Sequence, residues 1–413
     1  MSNRLKLFRE RMAAFEGAAN PSEAIESGYY VHAPGKLLVD TISNRIALRP
    51  FSSHLLLGGI GSGKTTQLLV ACKQINEIED THAIYVDVSL YTDISKITSG
   101  VLTAIVGLEL ANLMRDSEDG NVKKYINHIN KIAFGYTEDI DINKLASAFT
   151  KSSIYWKVER EGIITGQSKT YGVKAELVQA VSNLSKEALT KYGYIVFLFD
   201  GLDRLDNAQT FTQILSSDAK AISFTGIGLV LVAPLIAIYS DYRDTLDKSL
   251  DYFYYQPFFD VENDLEAYNF FDKIIQTRSI KNFIEEQAIK TLINFSGGVL
   301  RDFISLTQAA IEETYLSGEY QVQQKQVLKA VDSFSRSQLL GISDKELNIL
   351  KQIINTEKLI PKTEFIPRTD EDLRLLVRRL ILEYRDPKIR YAVHPAIKPV
   401  IEAIIETDAS LNF

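Results

Sequence analysis

The stretch HLLLGGIGSGKTTQLLVA, residues 54–71, decides the fold. It reads as a short apolar strand, a glycine-rich turn and the opening of an amphipathic helix. Gly58, the four residues Gly59, Ile60, Gly61 and Ser62, and then Gly63-Lys64-Thr65 fit the spacing G-x-x-x-x-G-K-[ST] without a gap. The spacing has a physical cause. Backbone N–H groups must curl around an anionic phosphate, and side chains at Gly61 or Gly63 would obstruct that approach. The helix that follows points its positive dipole end at the same phosphate. Lys64 then supplies a point charge to the β- and γ-phosphates, and the Thr65 hydroxyl is placed to ligate magnesium. The expected ligand is a nucleoside triphosphate held by Gly59, Ile60, Gly61, Ser62, Gly63, Lys64, Thr65 and Thr66.

A second stretch completes that chemistry. YIVFLFDGLDRLDN (194–207) is an apolar strand ending in Asp200, with Asp203 three positions on. A carboxylate at the carboxyl end of a buried strand can hold the water shell of magnesium beside Thr65. Asp203 can then orient or deprotonate the attacking water, with Asp206 as a competing carboxylate. A strand-end aspartate alone is weak evidence; with the upstream loop it becomes specific.

The surrounding pattern predicts an α/β fold. HAIYVDVSLY (82–91), IGLVLVAP (227–234) and YFYYQPF (252–258) read as further strands between helical segments, which implies a parallel sheet with helices on both faces. Ligands of such sheets bind at the carboxyl ends of the strands. Upstream, Leu5, Phe8, Met12 and Phe15 fall at helical spacing and predict a helix packed on a neighbouring domain. Tyr30, Val31 and His32, just before the loop, are the adenine-pocket candidates, with core packing as the competing reading. Residues 93–188 are long for one crossover, so roughly 110–175, containing Trp156, reads as an inserted helical element with loops at SEDGN and TGQSKTYG. The expected domains are 1–50 (helical, adenine-contacting), 51–260 (the nucleotide core), 261–322 (a helical lid) and 323–413 (a winged-helix-like domain).

Within the lid, FSGGVLRDF (295–303) presents Arg301 at a helix start, where a guanidinium can reach a γ-phosphate. An ordinary pairing of Arg301 with Asp302 is the plain alternative. The tail pattern of helices, then ILEYRD and KIRYAVHP around Asp386-Pro387, then a closing helix, suggests a winged helix. Residues 326–413 hold 14 Lys plus Arg against 13 Asp plus Glu, and the helix that would read DNA opens with Asp370, Glu371 and Asp372. That charge favours protein contact or autoinhibition over DNA, although Arg374, Arg378, Arg379, Arg385, Lys388 and Arg390 form a modest basic cluster.

Bulk composition agrees. The chain has 413 residues, net charge −7 and 46% apolar residues, so nothing global advertises nucleic acid or an acidic membrane. The single cysteine, Cys72, gives no disulfide framework and fits a reducing cytoplasm. The longest apolar run, Ile227–Tyr239, contains Pro234 and is too short to span a bilayer, and the N-terminal residues lack a signal-peptide pattern. No Asn-Lys-x-Asp guanine signature is present, which favours ATP.

GGIGSGKTT, FLFDGLD, SGGVLRD and the C-terminal pattern, in that order, resemble the AAA+/STAND group of P-loop ATPases over most of 30–413. That group includes origin-recognition-type initiators and signalling ATPases of bacterial defence systems. The resemblance implies ATP and Mg2+ as cofactors, with Lys64 and Thr65 in the Walker A role, Asp200 in Walker B, Asp203 as acidic base and Arg301 as sensor 2. Departures are the D-G-L-D spacing, Arg204 after the second aspartate, and the apolar Val232-Ala233-Pro234 where relatives often carry a sensor-1 polar residue. They fit a slowly hydrolysing switch. Arg243 lies where relatives carry an arginine finger, although a lone loop arginine is usually solvated. The resemblance thus leads to an ATP-dependent switch acting on a partner protein or its own copies, with a DNA-binding initiator or transposition regulator as the alternative.

Overall fold

The structure is a computed structural model that describes residues 3–16, 21–34, 38–134, 173–239, 243–357, 365–385 and 388–411. Trp156, the TGQSKTYG stretch, most of the expected insert and the Asp386-Pro387 turn lie outside the described residues. The chain runs α1 (Asn3–Glu16), α2 (Pro21–Glu26), α3 (Leu38–Leu48), β1 (Ser53–Leu57), α4 (Lys64–Ile75), β2 (Thr81–Asp87), α5 (Val101–Leu113), α6 (Gly120–Phe134) and α7 (Ala175–Tyr192). It continues through β3 (Tyr194–Asp200), α8 (Ala208–Ile214), α9 (Lys220–Phe224), β4 (Gly228–Val232), α10 (Arg243–Ser249) and β5 (Tyr252–Tyr255). Beyond these come α11 (Leu265–Arg278), α12 (Glu286–Ser296), α13 (Leu300–Leu316), α14 (Gln324–Gln338), α15 (Asp344–Glu357), α16 (Asp370–Val377), β6 (Ile381–Tyr384), β7 (Arg390–Val393) and α17 (Lys398–Leu411). Two compact units result, one of residues 38–57 and 67–255, the other of residues 1–37, 58–66 and 256–413.

In the first unit the five strands pair in parallel in the order β2-β3-β4-β1-β5. The expected parallel α/β core is therefore present. Leu55, Leu231, Phe199 and Val86 line up across one face of the sheet and join a core with α5, α6 and α7. The alternate positions Leu56, Val196, Leu198, Val230 and Val232 are buried as well, so both faces are covered, as parallel strands require. Two strands end earlier than their apolar runs suggest. β2 stops at Asp87, whose side chain accepts the Ser89 N–H and starts a 3-10 turn instead. β5 stops before Gln256-Pro257, where proline can offer no N–H to a ladder.

In the second unit, helices α11 to α14 enclose a core of Phe270, Phe271, Ile293, Phe303, Ile311 and Val327. The N-terminal helix joins it. Phe8 and Phe15 are buried in the same core, and the Arg4 guanidinium donates to the carbonyls of Thr314, Tyr315 and Glu319 at the end of α13. The helix α1 is thus clipped to the C-terminal end of α13, where the guanidinium also satisfies terminal carbonyls. Toward the C-terminus, β6 and β7 form an antiparallel hairpin in which Ile381 faces Val393 and Tyr384 faces Arg390. The Thr369 hydroxyl accepts the Asp372 N–H, and the Asp372 carboxylate accepts the Thr369 N–H in return, a reciprocal cap on α16.

Candidate functional site

The phosphate-type loop lies between β1 and α4, as expected from the 54–71 stretch. Gly61 and Gly63 adopt φ of 89° and 97°, which L side chains rarely do. Close packing excludes side chains there too. A Cβ on Gly61 would come within 2.8 Å of the Arg301 Cβ, and one on Gly63 within 2.9 Å of the Leu300 Cδ1. Phe258 packs directly over Gly59. Lys64 is 4% exposed, and its ammonium donates to the carbonyls of Gly58 at 3.0 Å and Gly59 at 2.9 Å. Ser62 is buried, and its hydroxyl has no hydrogen-bond partner. Thr65 and Thr66 follow, half-buried, on the first turn of α4. A cradle closed to Cβ atoms, a buried ammonium and an orphaned hydroxyl fit a phosphate ligand.

The start of α13 reaches this loop just after the glycine pair Gly297-Gly298. Gly297, at φ 59°, ends α12 in the left-handed cap conformation, and the chain then turns into α13. Arg301, on the first turn of α13, donates its backbone N–H to the Gly61 carbonyl at 3.3 Å. One of the orphan N–H groups of a helix start is thereby satisfied by the loop itself. The Arg301 side chain is exposed. Its neighbour Asp302 does not serve as a simple surface partner for it. Asp302 is buried at 2% exposure and takes a bidentate pair from Arg379 at 2.9 and 3.0 Å, with the His394 ring at 3.4 Å. Burial pushes the Asp302 carboxyl up, but the His394 hydrogen bond and the Arg379 charge outweigh it and leave it below the usual range.

The arginines of the tail's basic cluster are paired within the chain. Arg378 donates to the carbonyls of Gln338 and Leu340, Arg390 pairs with Asp260, Arg385 with Glu383, and Arg374 with Glu346. The hairpin is fixed to the glycine turn by Tyr384, whose hydroxyl donates to the Gly297 carbonyl at 2.8 Å. Of the adenine candidates, Val31 is buried in the core with α11 to α14, whereas His32 is exposed and meets Tyr30 edge to face with centroids 4.9 Å apart.

The strand-end carboxylates belong to the sheet unit. Asp200, at the tip of β3, is 6% exposed. Its Oδ1 accepts the Gly201 N–H at 2.7 Å, and its Oδ2 accepts the Tyr85 hydroxyl at 3.0 Å. Burial, together with the Asp200 carboxylate, raises the Tyr85 phenol above its ordinary range and keeps it a donor. Asp87, at the tip of β2, stands in register with Asp200. Sequence reading passed over Tyr85 and Asp87. Only the ending of HAIYVDVS in an aspartate, like FLFD, could have signalled them. Asp203 sits half-buried in the 3-10 turn Leu202–Arg204, while Arg204 and Asp206 are exposed. Between β3 and β1, the end of β4 contributes Val232 and Ala233, both fully buried. For Arg243 only the backbone of α10 is described.

Among the described residues no group of three His, Cys, Asp or Glu could hold a metal by itself. Magnesium needs none, since it shares carboxylate, hydroxyl, water and phosphate oxygens. Among the described residues no helix is long and apolar enough to cross a membrane.

No protein-family model matches the sequence, and no curated protein does either. Solved structures are similar at low identity. The ORC2 protein of Aeropyrum pernix, in ADPNP–ADP complexes, is 15% identical with TM-score 0.46, covering 92% of this chain and 97% of its own. Cdc6p of Pyrobaculum aerophilum is 13% identical with TM-score 0.42, covering 93% and 98%. The RuvB Holliday junction branch migration motor of Thermotoga maritima is 12% identical with TM-score 0.39, covering 91% and 98%.

Proposed function

We propose that this chain is an ATP-dependent molecular switch of the AAA+/STAND type, with slow hydrolysis. ATP on the 58–66 loop would stabilise one arrangement of the lid and so control assembly with a partner protein or with further copies of the chain. The observation that carries this reading is the start of α13 seated on the loop, with the Arg301 N–H on the Gly61 carbonyl and Leu300 against Gly63. A group bound in that loop must displace or recruit these residues, and a difference in contact is what biases two states.

In this reading the amides of Gly59–Thr66 and the Lys64 ammonium bind the phosphates, and Val31 and His32 contribute to the adenine end. Magnesium, when bound, offsets the charge on the β- and γ-phosphates. Thr65 and Asp200 are the residues assigned to hold it. In support, β1 and β3 are parallel strands with only β4 between them, so both run out at the same edge of the sheet. Asp203 takes the proton of the attacking water, and Arg301 reports the γ-phosphate. The apolar end of β4 provides no polar side chain to position that water, which supports slow turnover. The proposed organisation is 1–50, a 51–260 ATPase core with an insert at about 110–175, a 261–322 lid and a 323–413 winged-helix domain. A cytoplasmic setting and a role in defence-type signalling belong to the same proposal.

The test is phosphate release by the full chain with Mg-ATP. Alanine at Asp203 should stop release while sparing ATP binding; unchanged turnover would remove it from the base role. The second reading, a DNA-binding initiator, rests on the helix–helix–hairpin–helix order of 344–411. The inward pairing of Arg378, Arg379 and Arg390 supports protein contact instead. Salt-dependent DNA binding that weakens on neutralising Arg378 and Arg379 would reverse that preference.

A further inference from the structure

We propose that Tyr85 is a positioning residue for the Asp200 carboxylate, presetting the orientation in which Asp200 receives magnesium. The inference rests on the magnesium role proposed for Asp200 and deepens it.

The register makes the contact possible. β2 and β3 are parallel, with Asp87 beside Asp200 and Tyr85 beside Leu198. Side chains two apart on a strand share a face, so Tyr85, Asp87 and Asp200 lie on one side of the sheet. A diagonal neighbour two positions along lies about 7–8 Å away, a span that an aromatic side chain bridges. The phenol of Tyr85 covers it and ends with its hydroxyl 3.0 Å from Oδ2. The other oxygen, Oδ1, is held at 2.7 Å by the N–H of Gly201.

Two donors on two oxygens fix the plane of the carboxylate as well as its position. Asp87 is engaged differently, since its Oδ1 accepts the N–H and hydroxyl of Ser89 at 2.9 and 2.7 Å. The phenol and the peptide N–H each orient the group. Phenylalanine would keep the packing of Tyr85 and lose only the donor. The Oδ2 side of Asp200 would then lose its phenolic donor, and magnesium binding would have to supply part of that ordering.

The experiment uses the full chain and a fluorescent ATP analogue. Binding is measured in EDTA and then as magnesium is titrated in, for wild type, Tyr85→Phe, Asp200→Asn and the double variant. Tyr85→Phe should bind nucleotide in EDTA as wild type does and melt at the same temperature. It should need about tenfold more magnesium for half-maximal tightening, the usual scale for losing a partner of a metal ligand. In the Asp200→Asn background the Tyr85→Phe effect should vanish, because the phenol acts through that carboxylate. A magnesium titration identical to wild type would overturn the inference. So would a Tyr85→Phe effect undiminished by Asp200→Asn, which would mark a purely structural role. If wild type itself shows nucleotide binding with no magnesium dependence, the function proposed for Asp200 fails first, and the role of Tyr85 with it.

Discussion

Asp200 and Asp302 are both buried carboxylates, at 6% and 2% exposure, yet different kinds of group hold them. The donors to Asp200 include a phenol and a peptide N–H. Those to Asp302 are a bidentate guanidinium and an imidazole, joining the first turn of α13 to the C-terminal hairpin region. A bidentate cationic partner commits a buried carboxylate to a structural fastening, whereas a phenol and a peptide N–H orient one. Loss of the carboxylate should therefore cost stability at Asp302, whereas the role proposed for Asp200 puts the cost in function.

Asp302→Ala should have the largest effect on stability, about 3–5 kcal/mol, because it strands the half-buried Arg379 without its partner. Urea unfolding measures it, and a loss below about 1 kcal/mol would erase the contrast. Its pH sign follows from the lowered carboxyl of Asp302. The contribution is complete above the unfolded carboxyl value and disappears as pH falls through the depressed folded one, so wild type and Asp302→Ala should converge in acid.

His54 gives the sheet unit its own acid limit. It is fully buried between Ser52 and the Tyr254 hydroxyl, and burial lowers it from 6.5 to about 4. The neutral ring is the native form. Stability should be complete above pH 6.5 and fall by about 3 kcal/mol as pH drops toward 4. His54→Gln should flatten that slope; an unchanged slope would assign it to other groups.

Asp200→Asn should spare stability to within about 1 kcal/mol and lower phosphate release at least about a hundredfold. Comparable losses of stability at Asp200 and Asp302 would show that both are fasteners. Smallest is Arg301→Ala, which should reduce the preference for ATP over ADP about tenfold in competition binding, the size of an ordinary coupling. An unchanged ratio would deprive Arg301 of its reporting role.

The parallel sheet and the conformation of the 58–66 loop were readable from the sequence because local rules dictate them. Glycines at φ 89° and 97° and a buried apolar strand before them leave their mark within eighteen residues. The glycine pair before Arg301 was readable for the same reason, as a helix stop and restart. The clasp between Asp302 and Arg379 was not, since its partners are 77 positions apart and nothing local couples them. Nor was the contact of Tyr85 with Asp200, which needs the register of β2 against β3. Counting charges over 326–413 came out near neutral, but only the structure shows Arg378, Arg379, Arg385 and Arg390 spent on carbonyls and carboxylates of the chain. The N-terminal helix was read correctly as amphipathic, while its partner, the end of α13, required the fold.

Equilibrium binding of Mg-ATP to wild type and to Lys64→Ala tests the central claim most directly, because the ammonium now held by the Gly58 and Gly59 carbonyls is the charge assigned to the phosphates. The account predicts saturable binding by the wild-type chain and none detectable by Lys64→Ala at the same concentrations, with both proteins equally folded. Undiminished ATP affinity in Lys64→Ala would contradict it.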